Sequence, residues 1–416
     1  MVKPGYKQTE IGVIPEDWEV HTLSDISIIN PGSTQGLPIE FFYIDLESVT
    51  QGKLIEKKLL EKSNAPSRAQ RHFMAGDILY QTVRPYQGNN LFVNFDATKY
   101  IASTGYAVIR ANESITARLL YQILHTDRFT SVVLDNCTGT GYPAINPKVL
   151  SSLKISIPGK TTEQQRIAEA LSDMDDLIAS LEKLIAKKKA IKQGAMQELL
   201  TGKRRLPGFS GEWKKQLFGD LFEICPNNAY TRDQLTIGGK IKNIHYGDIL
   251  TKYGAYLDGS IASIPTLEKN LEKQKYAEKA FVQDGNIIIA DTAEDLTVGK
   301  AVEIVNVSGK ILSGQHTFLC RPIIPFAPMY LGYYLNSADF HDQVVPYVTG
   351  TKVSSINKSS LCSLTVKYPD IPEQRAIAEI LSDTDKAILA LEERLAKAGQ
   401  IKQGMMQQLL TGKIRL

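Results

Sequence analysis

Several things are missing from this 416-residue sequence, and each absence excludes something. No apolar run approaches the roughly 20 residues that cross a bilayer, so no membrane-spanning helix is expected. The opening "MVKPGYKQTEIGVIPEDW" has no apolar stretch of the kind a secretory leader carries. Cysteine is scarce. Cys137, Cys225, Cys320 and Cys362 are scattered, with no CxxC pair, which speaks against a zinc knot or a disulfide framework. A reducing, cytoplasmic setting is the expectation. Charge of one sign is also lacking. The net charge is +3, residues 1–158 carry 15 basic and 15 acidic groups, and residues 207–370 carry 16 and 17. Nucleic-acid binding would therefore have to come from local clusters rather than bulk attraction.

Catalytic signatures are absent too. A nucleotide-hydrolysing enzyme needs a phosphate loop such as GxxxxGK[ST], and "TGKR" at Thr201 lacks that spacing. An exocyclic-amine methyltransferase needs an Asn/Asp-Pro-Pro-aromatic run, which "INPK" at Ile145 does not supply. No HExxH or GxSxG occurs. The six histidines are isolated, and His316 in "SGQHTF" suits a structural or base-contacting role better than catalysis. "YPDIPEQ" at Tyr368 has the look of an acidic nuclease cluster, but its twin at Pro158 lacks the aspartate, and a helix cap explains it better. No catalytic residue, metal-ligand set or cofactor of its own is expected for the chain.

What the sequence does contain is a long repeat. "IKQGAMQELLTGKRRL" begins at Ile191 and "IKQGMMQQLLTGKIRL" at Ile401. From Glu163 to Leu206, 27 of 44 positions are identical at an offset of 210. Upstream, Gly139, Asn146 and Leu150 pair with Gly350, Asn357 and Leu361. Weaker echoes pair Gly76 with Gly285, Phe129 with Phe340, Trp18 with Trp213 and Asp25 with Asp220. "PGF" at Pro207 matches "PGY" at Pro4, so the chain reads as two units in a ring cut between its ends. The stretches 27–138 and 222–349 share almost nothing. A duplicated frame thus carries two divergent inserts.

In the frame, Ile167, Leu171, Met174, Ile178, Leu181 and Ile185 recur at alternating spacings of four and three, and Ile377, Leu381, Thr384, Ile388, Leu391 and Leu395 hold the same phase. That is the seam of a coiled coil. "TTEQ" at Thr161 offers a capping box, Pro372 fits a first turn, and Gly202 and Gly412 sit where a helix would stop. Two helices of about 39 residues, each roughly 58 Å long, are expected. The ring-like order favours antiparallel pairing. Gly194 and Gly404 interrupt them at matching positions, for either a helix–helix crossing inside the chain or the docking face of a partner. In the inserts, "GDILYQTV", "GYAVIRA", "LKISIP", "GNIIIAD", "KAVEIVNV", "HTFLCRP" and "LTVKYP" read as strands. "ARLLYQILHTDRFTSVV" and "APMYLGYYLNSADFHDQVV" have helical spacing. The predicted class is α+β: two mixed domains separated by two long antiparallel coiled-coil helices, with an internal pseudo-twofold repeat.

The pattern "P…EQ.RIA..L…D", then "IKQG.MQ.LLTGK.RL", then a tryptophan-bearing restart, all repeated, resembles the DNA specificity (S) subunit of a type I restriction–modification system. The resemblance covers essentially the whole chain. It implies target-recognition domains at 1–158 and 207–370 and conserved-type regions at 159–206 and 371–416, with spacer helices of about 161–202 and 371–412. It implies that each domain reads half of a bipartite double-stranded DNA site. It further implies that the helices dock two adenine methyltransferase subunits, and that restriction/translocase subunits join the complex. S-adenosylmethionine, ATP and Mg would be used by those partners. The sequence departs mildly at Ala398–Gly399, which loosens the second helix where the first has Lys188–Lys189. A rod of roughly 58 Å corresponds to at most about 17 base pairs.

Base edges are read by Arg, Asn, Gln, Ser, Thr and Tyr. In insert one the candidates are Arg84, Tyr86, Gln87, Asn89 and Asn90 in "TVRPYQGNN", with Thr138, Thr140 and Tyr142 in "CTGTGYPA". In insert two they are Thr251, Lys252 and Tyr253, then Gln315 and His316, then Thr349, Thr351 and Lys352. Candidates for helix packing or partner contact are Ile167, Leu171, Ile178, Leu181 and Gly194, with Ile377, Leu381, Ile388, Leu391 and Gly404. A coiled-coil adaptor bridging two proteins without DNA is the alternative reading, and an enzyme with an unrecognised site a third.

Overall fold

A computed structural model describes residues 2–32, 36–350 and 353–416. The chain divides into two compact units, Met1–Glu182 with Glu393–Leu416, and Lys183–Glu392. Both boundaries fall within the two long helices, Thr161–Leu199 and Ile371–Leu409, each of 39 residues. The predicted starts and the length of about 39 residues hold, the helices end at Leu199 and Leu409 rather than at 202 and 412, and Ala398–Gly399 does not break the second helix. Gly202 and Gly412 follow the helix ends at φ 71° and 67°, the left-handed conformation in which glycine is favoured.

Each unit contains the opening half of one long helix and the closing half of the other. In unit one, Ile167 and Leu171 share a core with Leu409 and Leu410. In unit two, Ile377 and Leu381 share one with Leu199 and Leu200. Lys402 pairs with Asp175 at 2.6 Å in the first, and Lys192 with Asp385 at 2.6 Å in the second. These are the same pair at an offset of 210, with the two copies exchanging roles. Along the expected seam, Ile167, Leu171, Leu181, Ile185, Ile377, Leu381, Ile388 and Leu391 are buried, and Met174, Ile178, Thr384 and Leu395 half-buried. Gly194 and Gly404 do not serve a crossing inside the chain, because a Cβ at either would meet nothing within 4 Å.

The repeated Glu-Gln pair closes each unit. Arg205 forms a fork on the buried Glu373 at 2.6 and 2.7 Å. Its counterpart Arg415 holds the buried Glu163 and also Asp17, the latter at 2.8 and 2.7 Å. The neighbouring Gln164 amide donates to the carbonyl of Pro158 at 2.9 Å and accepts from the Thr116 N–H. Gln374 likewise donates to the Pro369 carbonyl and accepts from the Ala327 N–H. The tryptophan echo has the same origin. A Cβ on Gly202 would press on the Trp213 ring at 3.2 Å, and one on Gly412 would press on Pro15 and Trp18.

Unit one holds a four-stranded sheet ordered Leu91–Phe92, Ile78–Gln81, Tyr106–Ala111, Ser27–Ile29. A second sheet runs Lys58–Glu61, Glu40–Ile44, Tyr100–Ser103, Ala69–Arg71, its middle pair parallel. Unit two repeats the plan. Its first sheet places Phe222–Cys225, Thr317–Pro322, Ile287–Ala290, Ala301–Val305 and Tyr256–Asp258 side by side. Its second contains the parallel pair Ile241–Ile244 and Lys310–Ser313. All seven predicted strands are present. The two predicted insert helices are each split: Ala117–Ile123 and Asp127–Asp135, then Tyr330–Leu335 and Ala338–Val344. Thr126 explains the first break, since its hydroxyl caps the second helix by accepting from the Phe129 N–H.

Candidate nucleic-acid interface

In unit one three loops are laced together beside the end of strand Ile78–Gln81. Thr82 donates its N–H and its hydroxyl to the Gly105 carbonyl, at 2.9 and 2.8 Å. Val83 bridges Ala144, and the Arg84 N–H donates to the Pro143 carbonyl at 2.7 Å. Thr138 and Ala144 exchange both backbone bonds at 2.9 Å, which makes residues 138–144 a hairpin with Thr140 and Tyr142 exposed at its tip. Arg84 and Tyr142, 58 residues apart in sequence, thereby meet, with the guanidinium 4.3 Å from the ring centroid. Tyr86 is 55% exposed and Tyr142 67%.

The other candidates of the same loop are more committed. Gln87 accepts from the Gln81 side-chain amide at 2.7 Å, and Asn89 accepts from the Gln51 N–H. Asn90 is buried. Its carbonyl accepts from the Gln81 N–H at 2.7 Å and its amide lies 3.2 Å from His125 Nε2. His125 Nδ1 donates to the Tyr121 carbonyl at 2.7 Å, and burial holds the imidazole below its ordinary range. Asn90 therefore anchors the loop from inside.

Unit two builds the same three-loop arrangement from different residues. The Asp291 N–H donates to the His316 carbonyl at 3.1 Å, as Thr82 does to Gly105. Strand Thr292–Ala293 pairs with Ser354–Ser355, and Thr349 and Ser355 exchange bonds at 3.0 and 2.8 Å. His316 stands at φ 55°, exposed, 3.2 Å from the Gln315 amide and edge-on to Tyr246 at 5.4 Å. Gln315, His316 and Thr349 are thus brought together. Thr351 and Lys352 lie outside the described residues. Among the described residues, no hydrogen bond ties Thr251, Lys252 or Tyr253 to Gln315, His316 or Thr349. They end the helix Tyr246–Thr251, about 7.5 Å along its axis from Tyr246. The Thr251 hydroxyl donates to the Gly247 carbonyl, and Lys252 pairs with the buried Asp248 at 2.8 Å. Burial pushes the Tyr253 phenol up to about 12.

Sequence reasoning missed the 291–297 loop, where Asp291 and Thr292 face His316 within 3.5 Å. The echo of Gly76 with Gly285 carries the signal, because an offset of 209 lays this loop over the Arg84 loop. Tyr246 and the turn at Thr104 were missed as well, and no feature of the sequence marks them.

A sequence model of the type I restriction modification DNA specificity domain matches residues 15–193 and 210–400. The chain belongs to this family. Its relatives include the putative type I restriction enzyme MjaX specificity subunit of Methanocaldococcus jannaschii, 24% identical, with 99% of this chain and 97% of the relative aligned. The HindI specificity subunit of Haemophilus influenzae is 31% identical over 39% of this chain and 36% of its own length. The S subunit from M. genitalium has the same fold at TM-score 0.60 and 13% identity, covering 94% of this chain and 96% of that one. A chain from a structure of the complex assembly and conformational transition of the type I R-M system gives 0.57 at 20%, covering 96% and 99%. This type I specificity subunit accordingly reads DNA sequence and leaves catalysis to other subunits. Among the described residues, no helix is long and apolar enough to cross a membrane.

Proposed function

We propose that the loop cluster of each unit is the reading surface for one half of a bipartite double-stranded DNA site. Residues 1–158 and 207–370 are then the two recognition domains. The observation that carries this reading is the pairing of a common scaffold with unlike chemistry. The same three loops are tied by equivalent backbone bonds in both units, yet one presents Arg84, Tyr86 and Tyr142 and the other Gln315, His316 and Thr349. Major-groove base edges are distinguished by donors and acceptors of this kind.

The regions 159–206 and 371–416 form the frame. We take the long helices as an antiparallel coiled coil that sets the unread spacer. The exchanged pairs Lys402–Asp175 and Lys192–Asp385 support that arrangement. Two like frames suit two identical adenine methyltransferase subunits on one asymmetric chain, with restriction/translocase subunits joining them in the cytoplasm. S-adenosylmethionine, ATP and Mg belong to those partners in this reading. Gly194 and Gly404, where an added Cβ would meet none of the described residues within 4 Å, are places where a partner's backbone can approach.

The test is a domain exchange followed by methylome sequencing. Replacing 1–158 with another reader should change one half-site alone, and inserting four residues after Leu184 should lengthen only the spacer. Altered half-sites with an unchanged spacer after the insertion would refute the ruler. An adaptor without DNA affinity would shift no duplex at low salt even with the methyltransferase added.

A further inference from the structure

Taking this DNA-reading role as its footing, we propose that Arg84 selects a guanine in the half-site read by residues 1–158, with Tyr142 as its positioning residue. Arg84 stands at φ 55°, a conformation that non-glycine residues seldom adopt and that an arginine keeps only when its surroundings hold it there. The holding contacts are visible. Its N–H is tied to Pro143, Val83 bridges Ala144, and Pro85, buried, follows directly. These bonds connect the loop to the hairpin that carries Tyr142, so the strain places the guanidinium on the exposed phenol ring at 4.3 Å.

Stacking leaves the planar fork of N–H donors unspent. Among the described residues no carboxylate pairs with Arg84. A guanidinium already immobilised on a ring loses less freedom on binding than one free in solvent. Its fork matches the O6 and N7 acceptors that guanine presents in the major groove, and the ranking of duplexes in the test separates that contact from a bidentate hold on a phosphate. Asn90 is buried and bound to Gln81, and the exposed Gln87 already has its side-chain carbonyl engaged by Gln81, so neither presents the two-pronged donor set that Arg84 does. Among its described residues, unit two lacks the device. At the offset of 209 its buried Ala293 stands where Arg84 stands, so the effect belongs to one half-site only.

The test uses the assembled complex and duplexes in which each base pair of both half-sites is replaced in turn, with methylation rate as readout. Wild type should reject replacement of one G·C pair in the half-site assigned to 1–158. Arg84→Lys should lose about 5- to 150-fold of discrimination at that pair and none elsewhere. Arg84→Gly relieves the left-handed strain, so it separates folding from reading, and it should lose the same selection. Tyr142→Leu should weaken selection at the same pair, while Tyr142→Phe, which keeps the ring, should retain it. A uniform loss on all duplexes with their ranking unchanged would mark a phosphate contact and overturn the proposal. Unaltered selection in Arg84→Lys and Arg84→Gly would overturn it equally. A wild-type complex that methylates no bipartite site would instead remove the DNA-reading role on which the proposal rests.

Discussion

Replacing Gly194 and Gly404 by alanine separates two reasons for keeping glycine inside a helix. Both residues lie within regular α-helix, in Thr161–Leu199 and Ile371–Leu409. Neither has a positive φ, and an added methyl would touch nothing within 4 Å. The folded chain thus has no steric objection, and each alanine should stabilise its helix by about 0.8–1 kcal/mol. The two positions fall in different compact units of about 200 residues, so the gains should add. For a cooperative unit of that size this amounts to roughly 2–4 °C in melting temperature. Scanning calorimetry of the isolated chain measures it. Binding to the methyltransferase subunit should move the other way, with a larger loss for Gly194→Leu and Gly404→Leu, if a partner's backbone packs there. A lowered melting temperature for the alanine variants would refute the open-space argument. Raised stability with unimpaired assembly would refute docking at the glycines.

The helix-terminal glycines should behave oppositely. Gly412→Ala places a Cβ against Pro15 at φ 67°, and Gly202→Ala meets the Trp213 ring at 3.2 Å and φ 71°. Both should lower the melting temperature by the left-handed penalty of about 1–2 kcal/mol, and Gly412→Ala by more. Burial pushes the Glu303 carboxyl up to about 7, although the amides of Gly332 and Met329 hold it down. Its folded form therefore favours the proton. Stability of unit two should fall by up to roughly 3 kcal/mol as pH rises from 4.5 to 7, and Glu303→Gln should flatten that slope in pH-dependent denaturation. His125 has the opposite sign. Burial depresses it, so unit one should lose stability as pH falls below about 6.5, and hydrogen exchange in 82–90 should speed up first because Asn90 loses its acceptor.

The repeated frame was legible because its signals are local or periodic. Alternating spacings of three and four together with the cap signals gave both helices and their starts, and strands such as Ile287–Ala290 announce themselves as β-branched runs between turns. The identity of the "EQ" and "TGK.RL" motifs was visible, but the meaning of their residues was not. Glu163 answers Arg415 and Glu373 answers Arg205, pairings over 252 and 168 residues that no window of sequence contains. Of the candidate readers, Asn90 and Gln87 looked no different from Arg84 in a list of polar loop residues.

The residue order alone determined the duplication, the two 39-residue helices and the two unlike inserts, since each depends on spacing along a single stretch of backbone. Only tertiary structure decided which polar groups remain free. Hydrogen bonds among strand ends consume Asn90 and engage the Gln87 carbonyl, lace three distant loops together, and leave one guanidinium resting on one phenol ring with its donors unspent. The physical reason is that a side chain's availability depends on what competes for it in space, and those competitors come from loops 20 to 60 residues away.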